Sequence, residues 1–175
     1  MQGKDAQPMT FRSVNRPNDF EFHDVVLSLI RFEGDTLILS ARYLNIHKGT
    51  EQNASDADLE IESAICTFMG FQVHTYEVIR PLTQDANGVW HQDKPFPRLE
   101  GKAAADKLIE ALKNSLSVHY FERTAESLYY MEGDMEGGGT DSFFTATFSI
   151  ARFVVEWENY RQKAWYESFK GQMGG

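Results

Sequence analysis

Apolar and polar residues alternate with a period of two through much of the chain, the spacing of β-strands with one covered face. The clearest case runs from Phe22 to His47, where FHDVVLSLIRF and LILSARYLNIH flank a short EGDT connection. Gly34 and Asp35 predict a two-residue turn, with glycine at the first central position as a type II′ hairpin wants. Pairing Glu33 with Thr36 then puts Phe32/Leu37, Ile30/Leu39, Ser28/Ala41, Val26/Tyr43, Asp24/Asn45 and Phe22/His47 on one face. Arg31/Ile38, Leu29/Ser40, Leu27/Arg42, Val25/Leu44 and His23/Ile46 fall on the other. Both faces are substantially apolar, so both need cover, and the hairpin is expected in the interior of a sheet with Ile30 buried opposite Leu39.

The same alternation predicts a strand in DLEIESAICTF (58–68) and, after Met69-Gly70, another in FQVHTYEVI (71–79), so that four strands form a meander. From Pro81 to Gly101 the pattern disappears into a long loop holding Trp90 and His91. Residues 102–115 then switch to helical spacing. Leu108, Leu112 and Leu116, with Ala104, Ala105 and Ile109, make one apolar stripe opposite Lys102, Asp106, Lys107, Glu110 and Lys113. Strand patterns return at SVHYFERT and SLYYMEG, an acidic loop follows at 132–141, and 143–157 reads as one long strand. The tail at 158–170 has two readings: Phe153, Trp157, Trp165 and Phe169 at multiples of four suit a helix, and KAWYESF suits a last strand after a turn at 159–163, the preferred one. Residues 1–19 are polar and aperiodic and read as a flexible arm, leaving 20–175 as a single domain. The expected class is α+β, mainly antiparallel β, a sheet or two-layer sandwich with one amphipathic helix on a sheet face.

Composition supports a folded chain: 175 residues, 42% hydrophobic and 13% aromatic. The net charge of −9 disfavours nucleic acid and anionic membrane as partners and points to basic surfaces. There is no apolar run of membrane-spanning length, and the N-terminus lacks a signal peptide's apolar core. With Cys66 alone there is no intrachain disulfide, which fits a cytoplasmic protein.

Candidate chemistry is sparse. The chain has no phosphate-binding glycine loop, no nucleophile elbow and no zinc spacing. The five histidines are scattered without short ligand spacing, so neither metal nor cofactor is expected, and Cys66 reads as a small buried hydrophobe. The hairpin register brings Asp24, Asn45 and His47 to one face at its open end, with Tyr43 close by; a carboxylate beside an imidazole can orient a general base. Asp56, Asp58, Glu60 and Glu62 fall on one side of a strand at two-residue spacing. Like charges in such a row repel, so it is either a solvated edge or a face for a basic partner.

Phe22-His23-Asp24 followed by the strand–turn–strand, together with Glu156-Trp157-x-x-Tyr160 and Ala164-Trp165-Tyr166-Glu167, resembles a loose class of bacterial β-rich proteins that includes domains similar to toxin-immunity proteins. The resemblance covers the hairpin and the C-terminal segment and carries no catalytic residue. It implies a β-rich cytosolic domain with no known chemistry. The expected role is a non-catalytic, immunity-like binding protein, and the net charge and the acidic row at 56–62 point to a basic protein as its partner. The alternative from another class is a small-molecule binder or enzyme with a pocket between sheet and helix near Asp24 and His47.

Overall fold

The structure, a computed structural model, describes residues 11–80, 82–92, 97–138 and 142–170. In chain order the strands are β1 (Phe11–Val14), β2 (Phe20–Glu21), β3 (Val26–Glu33), β4 (Thr36–Arg42), β5 (Asn45–Ile46), β6 (Leu59–Ile61), β7 (Ala64–Met69) and β8 (Gln72–Val78). After these come β9 (Leu82–Gln84), β10 (Trp90–Gln92), β11 (Leu99–Glu100) and the helix α1 (Gly101–Lys113). The chain continues through β12 (Leu116–Arg123), β13 (Leu128–Met135), β14 (Phe143–Ser149), β15 (Arg152–Trp157), β16 (Tyr160–Lys163) and a single helical turn, α2 (Glu167–Lys170). The fold is α+β and mainly antiparallel β. Among the described residues no helix is long and apolar enough to cross a membrane.

Ten strands share one antiparallel sheet in the order β1-β15-β7-β4-β3-β12-β13-β14-β8-β11. That sheet cannot be flat. The third strand, β7, and the ninth, β8, would lie about 29 Å apart at the usual interstrand spacing. Yet only Gly70 and Phe71 join them, a step of about 11 Å at most. Ile150 and Ala151 impose the same limit between β14 and β15. The sheet therefore doubles over, β3 and β12 making its seam through two residue pairs, Leu27↔Leu116 and Val26↔Ser117. The core lies between the two layers, with Phe153, Phe68, Phe71 and Phe148 in successive ring contact and Phe22 stacked on Phe121 at 4.3 Å. Helix α1 turns Ala104, Leu108, Ala111 and Leu112 inward, packing on β8 and reaching β3. Leu116 is buried as expected, but as the first residue of β12.

Several expectations give way here. The hairpin starts in the predicted register, Glu33↔Thr36 to Arg31↔Ile38, and Gly34 has the positive φ (61°) of its turn. A bulge at Ile30 then shifts the pairing by one, to Leu29↔Leu39 and Leu27↔Ala41. Ile30 is thereby turned out, 53% exposed, while Leu39 stays buried. The four-strand meander does not form, because β8 pairs with β14 and β11 rather than β7. The stretch 143–157 is two strands broken at the Ile150-Ala151 corner. Of the N-terminal arm, residues 11–14 are an edge strand paired with β15, and residues 1–10 lie outside the described residues. The long loop at 81–101 contains the hairpin β9–β10, with Trp90 exposed. At the C-terminus, the residues read as a turn form β16, and those read as a strand end in α2.

A second, four-stranded sheet has the order β16-β6-β5-β2. These are the chain continuations of β15, β7, β4 and β3, which neighbour one another in the same order in the large sheet. The two sheets are thus one surface bent along a line of kinks. Glu62 and Ser63 interrupt the alternation that made 58–68 look like one strand. On the neighbouring strands the bend is made by Asp24 (φ 68°) and Tyr43 (φ 64°), both in the left-handed region. The hydrogen bond from Ile61 N–H to Leu44 C=O, 2.8 Å, ties adjacent strands across the bend.

Candidate functional site

The bend opens two adjoining hollows of about 540 and 530 Å³, and Trp165, 53% exposed, borders both. Trp165 owes its place to Asp58. The Asp58 carbonyl accepts the Ala164 N–H at 2.9 Å, and the Asp58 N–H donates to Glu167 Oε1 at 3.1 Å, so the C-terminal turn is anchored on both sides of the tryptophan. The Asp58 carboxylate, buried at the back of the first hollow, accepts the Lys48 N–H at 2.9 Å and the Tyr166 hydroxyl at 2.9 Å. His47 Nδ1 lies 3.1 Å from its Oδ2, and Lys170 Nζ 3.7 Å. Burial on its own would raise the Asp58 carboxyl, but these donors and the Lys170 charge outweigh it and hold the group at about 2. An ionised Asp58 accepts only, so the shared proton sits on His47 Nδ1. Burial and the Asp58 carboxylate push the Tyr166 hydroxyl up, which keeps it a donor.

Glu60 is buried in the same manner, accepting from Gln162 Nε2 at 2.9 Å and Arg161 Nη1 at 3.4 Å. The acidic row is therefore divided. Asp58 and Glu60, each 5% exposed, are covered by the C-terminal segment, while Asp56 and Glu62 remain exposed. The row's shared solvated face does not exist, because residues 160–170 bring donors across it.

The expected cluster of Asp24, Tyr43, Asn45 and His47 is partly regrouped. Asp24 and Tyr43 line the second hollow together with Val26, Glu60 and Trp165. His47 lines the first, where Glu21 and His23 join it. Asp24 does not orient His47; its Oδ2 lies 3.0 Å from His23 Nδ1, and Asp58 takes the role predicted for it. Asn45 is buried beneath the bend and donates to the Tyr43 carbonyl at 3.4 Å, supporting the kink instead of lining a hollow. Nor do these residues sit between sheet and helix. The hollow in that place, about 320 Å³ and bordered by Tyr76, Leu99 and Met135, is separate and touches neither Asp24 nor His47.

Against models of known families, curated proteins and solved structures, the chain matches none.

Of the remaining histidines, His119 meets Asp134 at 2.6 Å and stacks on Phe143, His91 meets Asp85 at 2.8 Å and His74 meets Ser149 at 3.1 Å. Among the described residues no three His, Cys, Asp or Glu side chains are grouped to hold a metal. Cys66 is a buried hydrophobe in practice, its thiol pushed up to about 12 by burial. In the sequence Trp165 and Tyr166 stand out only through the spacing of the tail and the resemblance, and Lys170 and Glu21 not at all. A usable signal is the pairing of an acidic row at 56–62 with cations at 161, 163 and 170 in the C-terminal segment.

Proposed function

We propose that this protein is a non-catalytic binding protein whose partner is a basic protein, docked on the bend between the two sheets. One observation carries the reading: an exposed tryptophan, Trp165, stands between two hollows whose linings include the carboxylates Glu21 and Asp24. Exposed aromatic residues ringed by polar groups are the usual anchors of protein interfaces. The net charge of −9 supplies long-range attraction for a basic surface. Asp56 and Glu62 contribute to that field from the flank, whereas Asp58 and Glu60 shape the surface from beneath. An immunity-like role, with the basic face of a toxin as the partner, is the form of this reading that the sequence resemblance supports. The test is association kinetics of the captured partner across an ionic-strength series. The association rate should fall steeply with salt and fall further for Glu21→Gln with Asp24→Asn, and dissociation should quicken for Trp165→Ala. A partner indifferent to salt and to Trp165 overturns the reading.

A second reading rests on His47. With Nδ1 held by a buried carboxylate and the residue lining a hollow of about 540 Å³, this imidazole has the arrangement of a general base in a small-molecule binder or enzyme. A co-purifying ligand lost in His47→Ala favours it.

A further inference from the structure

We infer that the second hollow is an arginine slot: it seats the guanidinium of one arginine side chain between Tyr43 and Trp165, forked onto Asp24. The inference rests on the proposed binding role and names what the partner presents.

The lining decides the charge of the guest. Two carboxylates, Asp24 and Glu60, border this hollow, and neither lysine nor arginine does. The first hollow, by contrast, has Lys170 at its edge. Glu60 is already paired with the Arg161 cation and accepts a hydrogen bond from Gln162. Asp24 is spent only in part. Its Oδ2 meets His23 Nδ1, and among the described residues Oδ1 has no hydrogen-bond partner. An anionic guest would face Asp24 with no lysine or arginine in the lining to receive it, whereas a cation is matched.

The rings decide its shape. Tyr43 and Trp165 are both substantially exposed, 43% and 53%. A guanidinium is planar, stacks on aromatic faces and offers paired N–H groups to a carboxylate, whereas an ammonium is a compact and strongly hydrated point charge. The chain itself displays the first of these contacts: Arg42 Cζ stands 5.9 Å from the centre of the Tyr43 ring. Val26 supplies an apolar wall for the aliphatic stem.

The slot is also held in place before any guest arrives. The Asp24 N–H donates to the Val118 carbonyl at 2.9 Å, and the Asn45 side chain holds the Tyr43 carbonyl. Trp165 is fixed through the backbone of Asp58. Little has to be ordered on binding, which favours affinity from a small contact.

The probe is Nα-acetyl-arginine methylamide, titrated into the full chain labelled with ¹⁵N, with the lysine analogue in parallel. The Trp165 indole and the Asp24 and Tyr43 amides should shift, while the buried Trp157 indole stays put as a reporter of the fold. Arginine should bind at least about threefold more tightly than lysine, the size of one exposed cation–π contact. Asp24→Asn, Tyr43→Ala and Trp165→Ala should each weaken the response with Trp157 unmoved. Equal shifts for arginine and lysine, shifts that survive all three substitutions, or no shift at tens of millimolar would each overturn the slot. Partner association that still depends on salt and Trp165 while the arginine probe does nothing sinks the slot and leaves the binding role standing. An arginine response without any basic partner does the reverse.

Discussion

Gly70 and Ala151 lie against each other where the chain's two tight corners cross. A Cβ on Gly70 would stand 2.7 Å from the Ala151 Cβ, and the Ala151 N–H donates to the Met69 carbonyl at 2.9 Å. One corner carries β7 into β8 and the other β14 into β15, so this contact is where the doubled sheet is pinned. Gly70 also has φ 64°, so alanine there meets both strain and a neighbour that backbone holds in place. Gly34, at φ 61°, offers the comparison, since an added Cβ meets nothing within 4 Å. Gly34→Ala should cost about 1 kcal/mol and Gly70→Ala clearly more, roughly 2–4 kcal/mol, in urea unfolding. Equal losses would mean the corners are not in tight contact.

Removing the Asp58 charge should change how the domain responds to acid. The folded carboxyl titrates at about 2 against an ordinary 3.8, so its contribution is present in full above the higher value. It is lost as pH falls through the folded one. For a side chain this well buried the shift corresponds to about 2 kcal/mol. Asp58→Asn should therefore melt lower than the parent at pH 6, with the difference shrinking between pH 4 and 2. A constant difference across that range would show that the carboxylate does not make the contribution described.

Tyr43→Gly should separate binding from stability. Glycine relieves the left-handed backbone at this kink, a strain of about 1 kcal/mol, and the half-exposed ring surrenders little packing. Thermal melting should be unchanged or slightly raised while the arginine response disappears. A marked drop in melting temperature would make the ring a structural element of the bend.

The bulge in the central hairpin gives a sharp contrast between neighbours. Leu39→Ala should cost about 2–5 kcal/mol through a cavity, and Ile30→Ala less than about 1 kcal/mol, because Ile30 points outward. Guanidinium midpoints for the two variants check this directly. Similar losses would restore the unshifted register.

That contrast also shows what local pattern can and cannot reveal. The turn at Gly34-Asp35, the stripe of Leu108 and Leu112, and the inward face of Ala64, Cys66 and Phe68 follow from spacing within a few residues. Each is decided by its own segment. The bulge at Ile30 and the kinks at Asp24 and Tyr43 are one-residue departures that leave the composition of a strand untouched, so periodicity passes over them. The acidic row departs from a solvated face for a different reason. Asp58 and Glu60 look solvated until Tyr166, Gln162 and Arg161 arrive from the far end of the chain. The role that oriented His47 was foreseen, but for Asp24, since only the folded sheet reveals which carboxylate reaches it.

The position of β15 bears on how the protein is made. It lies between β1 and β7, although both are synthesised long before it. While the ribosome works through the middle of the chain, β7 has one bare edge and Phe11–Val14 have no strand to join. A nascent chain ending before Arg152 thus presents an unpaired template to other nascent chains and to chaperones. The layer that carries the bend closes only when the last strands emerge, so the binding surface and the completion of the fold arrive together.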